Sequence, residues 1–219
     1  MTRAVVTGAN RGIGLALADH LRHAGHAVTG TARDGSADAV LDVTDPRSVA
    51  GFAAGLGGCA VDLLVCNAGI YADKRQGLDD GYPAPMWAEG FAVNVTGVFL
   101  TIQALLPNLR KAAAVGGGAR IAVISSQMAS QATAPGGSYI YRASKAAVLN
   151  LGRNLAADLA PEGIAVGIYH PGWVRTDMGG GGADIDADEA AAGLAARFAA
   201  LTVETTGCFE TWDGRAHPL

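Results

Sequence analysis

Apolar and polar positions change their period repeatedly along the chain, and each change marks an element. Arg3–Thr7 opens with a short apolar run that reads as a strand. Ile13, Leu17 and Leu21 then recur at helical spacing with Ala16 and Ala18 between them, so Gly12–Ala24 reads as a helix closed by Gly25. His26–Ala32 and Ala39–Val43 read as two further strands, and Asp45-Pro46 opens a helix as N-cap and first-turn proline. Val61–Cys66 is a fourth strand, nearly all apolar, as a strand covered on both faces should be. A long helix is expected from near Pro85 to Lys111, ended or kinked by Pro107. Ala119–Ser125 follows as a fifth strand, and Ser138–Ala160 as a second long helix stopped by Pro161 and Gly163. Ile164–Tyr169 is a sixth strand, Asp188–Ala200 a last helix and Gly207–Thr211 a closing edge strand.

Strands alternating with helices at this spacing define an α/β protein, a parallel sheet with helices on both faces. The 219 residues suit one domain spanning 1–219, and half of them are apolar with 16% charged, a globular composition. The net charge is −4 and no basic cluster forms, which argues against a nucleic-acid partner. Apolar runs are interrupted by glycine or charge, so no membrane span is expected, and the N-terminus lacks a signal-peptide pattern. Cys59, Cys66 and Cys208 are an odd count without metal spacing; free thiols in a reducing, cytoplasmic compartment are expected, with no metal site. His20, His23 and His26 are separated by the helix end at Gly25, and Asp184, Asp186 and Asp188 read as charge at the start of the last helix. The glycine run 179–182 follows the sixth strand, on the side where parallel sheets bind ligands, and reads as a mobile lid.

The first fourteen residues carry the sharpest chemistry. Gly8, Gly12 and Gly14 lie between the first strand and the first helix. There Gly8 lets the chain turn, Gly12 lets backbone approach a pyrophosphate, and Gly14 lets the helix pack closely. The helix N-terminus offers unpaired N–H groups and a partial positive charge to an anion. The spacing differs from the common Gly-x-Gly-x-x-Gly fingerprint.

Thr7–Gly14, with Asn10, Arg11 and Ile13 inside it, resembles the cofactor motif of the short-chain dehydrogenase/reductase family. Four further motifs match in order: Asp42-Val43, Asn67-Ala68-Gly69, Tyr141-Arg142-Ala143-Ser144-Lys145, and Pro171-Gly172-Trp173-Val174-Arg175-Thr176. The resemblance implies a Rossmann-type doubly wound sheet of seven strands in the order 3-2-1-4-5-6-7. It implies adenine contacts at Asp42 and Val43, a sheet-stabilising role for Asn67, Ala68 and Gly69, and nicotinamide contacts along Pro171, Gly172, Trp173, Val174 and Thr176. The details look most like the C-factor and carbonyl-reductase-like branch, in which signalling roles accompany undefined substrates.

Hydride transfer to a carbonyl leaves an alkoxide that needs a proton. A phenol supplies one if its pKa is lowered toward neutrality. Tyr141 and Lys145 stand one helical turn apart, so the ammonium is expected to lower the phenol's pKa; the resemblance adds a ribose contact for Lys145. Tyr139 lies off that face and is expected to line or pack. A second donor is expected at the end of the fifth strand, at Ser125 or Ser126, and the resemblance implies Ser126 when Arg120–Ser126 is aligned on the family's strand. Asn94 matches the family's helix asparagine, thought to break the helix and hold a proton-relaying water. Ala32 stands where an NAD-type acid is expected, and Arg33 follows it. Arg33 and Arg11 therefore favour NADP over NAD, with Asp34 arguing the other way. The expected substrate is a small carbonyl or alcohol. The family uses its two long helices to pair subunits, so a homodimer or homotetramer is expected, with Trp212–Leu219 as a second contact.

Overall fold

The computed structural model describes residues 2–219. Seven strands form one parallel sheet in the order β3-β2-β1-β4-β5-β6-β7. They are β1 (Arg3–Thr7), β2 (Ala27–Ala32), β3 (Ala39–Val40), β4 (Leu63–Cys66), β5 (Ala119–Ile124), β6 (Ile164–His170) and β7 (Phe209–Thr211). The chain runs outward from β1 to β3 and then returns to place β4 on the other side of β1. That reversal opens a crevice beyond the C-terminal ends of β1 and β4.

Six helices cover the sheet: α1 (Gly12–His23), α2 (Pro46–Gly55), α3 (Ala84–Phe91), α4 (Gly97–Ala112), α5 (Tyr139–Leu159) and α6 (Ala187–Ala200). Alternate strand residues serve the two faces. Val5, Leu64, Ile121, Val166 and Ile168 pack under α2, α4 and α5 with Phe52, Leu105, Leu109 and Val148. Val6, Val65, Ala122 and Tyr169 pack under α1 and α6 with Leu17, Leu21, Leu194 and Phe198.

The caps follow the sequence signals. Asp45 accepts from Arg47 N at 2.9 Å with Pro46 in the first turn, and Gly25 takes φ +86 after α1. Asp186 caps α6 by accepting from Glu189 N at 2.8 Å, which gives one member of the aspartate triplet a structural use.

Three expectations are corrected. The third strand spans only Ala39–Val40, because Asp42 closes a turn by accepting from Thr44 N at 2.9 Å and Thr44 Oγ1 at 2.7 Å. The long helix is divided, as expected at Asn94, by a π-helical turn at Ala92–Thr96. Pro107 does not end it: α4 runs on to Ala112. Pro107 and Gln103 are both on the exposed side, so the carbonyl that the proline leaves unpaired faces water. The run Ala84–Gly117 also has the length and apolar content of a membrane span, against expectation; here it lies on the sheet, with Ile102, Leu105 and Leu109 buried.

Candidate active site

Gly8 turns the chain off β1 at φ +64, and the loop leads into α1 through Arg11 in extended backbone. No side chain caps α1 and its first turn holds no acid, so the N–H groups there are available to an anion. A Cβ on Gly14 would sit 2.1 Å from Gly8 O and 2.4 Å from Asn67 Nδ2. Asn67 Nδ2 donates to Thr7 O at 2.9 Å and Gly8 O at 3.0 Å. Thr7 Oγ1 in turn accepts from Asn67 N and Ala68 N at 3.0 Å each. Asn67-Ala68 thus ties the end of β4 to the end of β1 and to the glycine loop. Gly12 takes φ +52, and a Cβ there would lie 3.3 Å from Thr176 Cγ2, so the loop also meets the segment after β6. Ile13 is half-buried at the start of α1. An uncapped helix start behind a bare glycine turn fits the pyrophosphate of a dinucleotide.

At the far end of the crevice Arg33 is exposed just beyond β2, and it forms no ion pair among the described residues. The Asp34 carboxyl is held below the usual range by the Ser36 hydroxyl and N–H, with a smaller contribution from Arg33. Asp42 is held low in the same way, first by Thr44 and last by Arg33. Asn10 Nδ2 donates to Ser36 Oγ at 3.0 Å, tying the glycine loop to this turn. Val43 is buried against Gly97 of α4. The Arg11 guanidinium pairs with Asp177 at 2.7 Å, because the segment after β6 brings that carboxylate over the loop, and both side chains are exposed.

Ser125 and Ser126 end β5 with different fates. Ser125 Oγ donates to Lys145 O at 2.9 Å and is consumed by α5. The Ser126 hydroxyl accepts from Met128 N at 3.1 Å and stands on the Tyr141 side, where it favours the ionised phenol. Tyr141 and Lys145 are both buried on one face of α5. Lys145 Nζ donates to Ile124 O at 2.9 Å and lies 5.6 Å from the Tyr141 ring centroid. Burial lowers its pKa to about 8.

The expected lowering of the phenol's pKa is not present in this arrangement. Burial pushes Tyr141 up to about 12; the nearby Ser126 hydroxyl opposes this, and Tyr71 and Asp73 add to it. The ammonium stands toward the ring and the Ile124 carbonyl, and does not offset the effect of burial on the phenol.

Asn94 sits at the break in the helix, as expected of a residue that disrupts it. Its Nδ2 donates to Ile70 O and Ser144 Oγ, both at 2.9 Å, and its Oδ1 accepts from Ile70 N at 2.8 Å. A Cβ on Gly69 would lie 3.3 Å from Asn94 Oδ1 and 3.4 Å from Lys145 Nζ, so these three residues converge.

Pro171 and Gly172 leave β6 toward the same crevice. Trp173 is half exposed, and its Nε1 donates to Gly179 O at 3.0 Å. Val174 is buried, and Thr176 Oγ1 accepts from Gly179 N at 3.0 Å. A cavity of about 450 Å³ opens here between Gln127, His170, Trp173, Trp212 and Arg215. The last two come from the C-terminal tail, which folds back on its own β7 as His217 N donates to Phe209 O at 2.8 Å. His170 is buried with Nδ1 unpaired, and burial followed by the neighbouring His217 lowers it to about 4. Tyr139 packs edge-on against Tyr82, ring centroids 5.1 Å apart.

Two residues against Tyr141 escaped the sequence reading. Tyr71 stacks on its ring at 4.2 Å, and Asp73 accepts from its backbone N–H. The available signal was position: both follow Asn67-Ala68-Gly69 in the loop at the C-terminal end of β4.

A glycine cradle at the switch point of a parallel sheet, opening on a buried phenol and ammonium, defines a dinucleotide-dependent oxidoreductase site. The chain belongs to the short chain dehydrogenase family, whose model matches residues 2–184. It is 38% identical to the C-signal protein of Myxococcus xanthus over 159 residues, 72% of this chain and 92% of that protein. Among solved structures, it resembles the NADPH-bound carbonyl reductase from chicken fatty liver at 32% identity, with TM-score 0.91 over 100% of this chain and 99% of that one. It also resembles the carbonyl reductase Sniffer of D. melanogaster at 26% identity, with TM-score 0.92 and both chains covered in full.

Proposed function

We propose that the protein is an NADP(H)-dependent carbonyl reductase acting on a small carbonyl compound, with the corresponding alcohol as product. The observation that carries this reading is the gathering of Ser126, Tyr141 and Lys145, all buried, with Lys145 beside Gly69 of the segment that ties to the glycine loop. The neighbouring chicken structure, described as a carbonyl reductase with NADPH bound, supports both the reaction and the cofactor.

Gly8–Gly14 and the start of α1 would hold the pyrophosphate, Asp42 and Val43 the adenine side, and Pro171–Thr176 the nicotinamide side. Arg33 would hold the 2′-phosphate, since Arg11 is paired with Asp177. Ala32 offers no acid to a ribose 2′-hydroxyl, and the Asp34 carboxylate is taken by Ser36. The bound dinucleotide supplies a hydride to the carbonyl carbon.

Ser126 donates a hydrogen bond to the carbonyl oxygen and polarises it. Tyr141 gives its proton to that oxygen as negative charge develops there, and the alcohol forms. A phenol with a pKa near 12 is fully protonated at neutral pH, the state that reduction needs. Lys145, one turn along α5, returns a proton toward the phenolate. Asn94 holds the Ile70 backbone and keeps the Gly69 corner open beside Lys145. The 450 Å³ cavity walled by Trp173 and Trp212 accommodates the rest of the substrate.

The likeness to C-signal supports a second reading, a nucleotide-binding signalling protein. A screen of aldehydes and ketones with NADPH and NADH in parallel separates the two. Turnover favouring NADPH supports the reductase; tight NADPH binding without turnover of any carbonyl supports signalling.

We further infer a cytoplasmic homodimer or homotetramer paired through α4 and α5. Leu100, Leu106, Leu151 and Leu155 are only half-buried there, and Phe99 is exposed.

A further inference from the structure

The N-terminus of α5 does not cap itself. Ser138 precedes it in the left-handed region at φ 51, and its side chain caps no N–H of the helix. The loop after β4 supplies what is missing. The Asp73 carboxylate, 1% exposed, accepts from Ile140 N at 2.8 Å and from Tyr141 N at 3.3 Å. No cation pairs with it among the described residues; its partners are the first N–H groups of α5 and the positive end of that helix. Two residues earlier, Tyr71 stacks on the Tyr141 ring with centroids 4.2 Å apart and planes 22° from parallel. The Tyr71 hydroxyl shares a hydrogen bond with Ser138 Oγ.

A buried carboxylate with no cation is expensive unless something needs it. Here it grips the backbone N–H of Tyr141 itself. We propose that Asp73 is a positioning residue for carbonyl reduction, fixing the first turn of α5 so that the Tyr141 side chain is held on the Ser126 side of the crevice. This rests on the assignment of Tyr141 as proton donor. The groups that face Tyr141 are Tyr71 and Asp73 from the loop after β4, Ser126 from the end of β5, and Lys145 from α5. Of these, Tyr71 and Asp73 disfavour the phenolate, and Ser126 favours it.

The test compares Asp73→Asn with Asp73→Ala, using p-nitrobenzaldehyde and NADPH. The amide oxygen of Asp73→Asn still accepts from the helix, but the charge is gone. Its kcat at neutral pH should stay within about threefold of wild type, because the first turn of α5 is still held. Asp73→Ala removes the grip: kcat should fall about tenfold or more, within the range of a misplaced acid, and Asp73→Asn rescues it. Amide hydrogen exchange at Ile140 and Tyr141 should accelerate in Asp73→Ala and stay slow in Asp73→Asn, a readout independent of turnover.

An Asp73→Asn variant that loses as much kcat as Asp73→Ala, or a stably folded Asp73→Ala with wild-type kcat, overturns the proposal. If Tyr141→Phe retains the wild-type rate, the proton-donor assignment fails first and takes this inference with it. If Tyr141→Phe is dead and the Asp73 variants behave as wild type, only the positioning role fails.

Discussion

Gly14→Ala tests whether the glycine loop and the Asn67 clamp form one packed unit. The added Cβ would stand 2.1 Å from Gly8 O and 2.4 Å from Asn67 Nδ2, where an ordinary contact needs about 3.5 Å. Backbone on one side and a double hydrogen-bond donor on the other must therefore move by about an ångström. Overpacking of this kind costs about 1–3 kcal/mol. Breaking the Asn67 bonds to Thr7 O and Gly8 O adds roughly 1 kcal/mol each, and better helix propensity returns about 1 kcal/mol. The net loss is about 2–4 kcal/mol. For a chain of this length that lowers Tm by roughly 5–15 °C. Gly12→Ala is the internal control. Its Cβ would meet only a threonine methyl, at 3.3 Å, and its strain is that of φ +52, about 1–2 kcal/mol. It should therefore cost a few degrees of Tm yet weaken NADPH, because the new methyl stands where the pyrophosphate approaches. Differential scanning calorimetry with and without NADPH reads both effects. Wild-type Tm and NADPH affinity in Gly14→Ala would refute the packed clamp.

Acid titration of stability should expose His170. Its folded pKa of about 4 lies below the usual 6.5, so stability present above pH 6.5 is lost as pH falls toward 4, by about 3 kcal/mol. Urea unfolding across that range should show the loss in wild type and a flatter profile in His170→Asn. Arg33→Ala should weaken NADPH at least tenfold more than NADH in calorimetric titrations, as expected for loss of a charge-assisted phosphate contact; equal weakening removes Arg33 from the 2′-phosphate. Light scattering at micromolar protein should give a mass at least twice the monomer's, and a monomeric mass excludes the pairing through α4 and α5.

The strands were legible because each carries its own boundary signals, and the alternation in Val5/Val6 and Leu64/Val65 matches two buried faces; their order in the sheet came from the family resemblance. Gly25, Asp45-Pro46 and Gly8–Gly14 have local causes for their conformations, and local causes are written in local sequence. The length of β3 was less visible, since Asp42-Val43 reads as strand until the Asx turn with Thr44 forms. The break around Asn94 was legible from one polar residue in an apolar helix, but its partners Ile70 and Ser144 come from elsewhere in the fold. The choice between Ser125 and Ser126 turned on which hydroxyl α5 consumes, a tertiary contact. Asp73 and Tyr71 were hidden for the same reason: nothing in Ile70–Arg75 shows that it will meet the start of α5. The phenol's raised pKa follows from that unseen contact and from burial, whereas the spacing of Tyr141 and Lys145 alone pointed downward.

The central claim is that Tyr141 donates the proton, and the comparison of Tyr141→Phe with Tyr139→Phe tests it most directly. Both remove one hydroxyl; the first is buried against Ser126, and the second packs on Tyr82 at the surface. With NADPH and a carbonyl substrate from the screen, Tyr141→Phe should lose about 10²- to 10⁴-fold in kcat with NADPH affinity nearly intact. Tyr139→Phe should stay within about threefold of wild type in kcat, since it deletes no proton donor. A Tyr141→Phe variant that keeps its rate, or a Tyr139→Phe variant that loses it, contradicts the account.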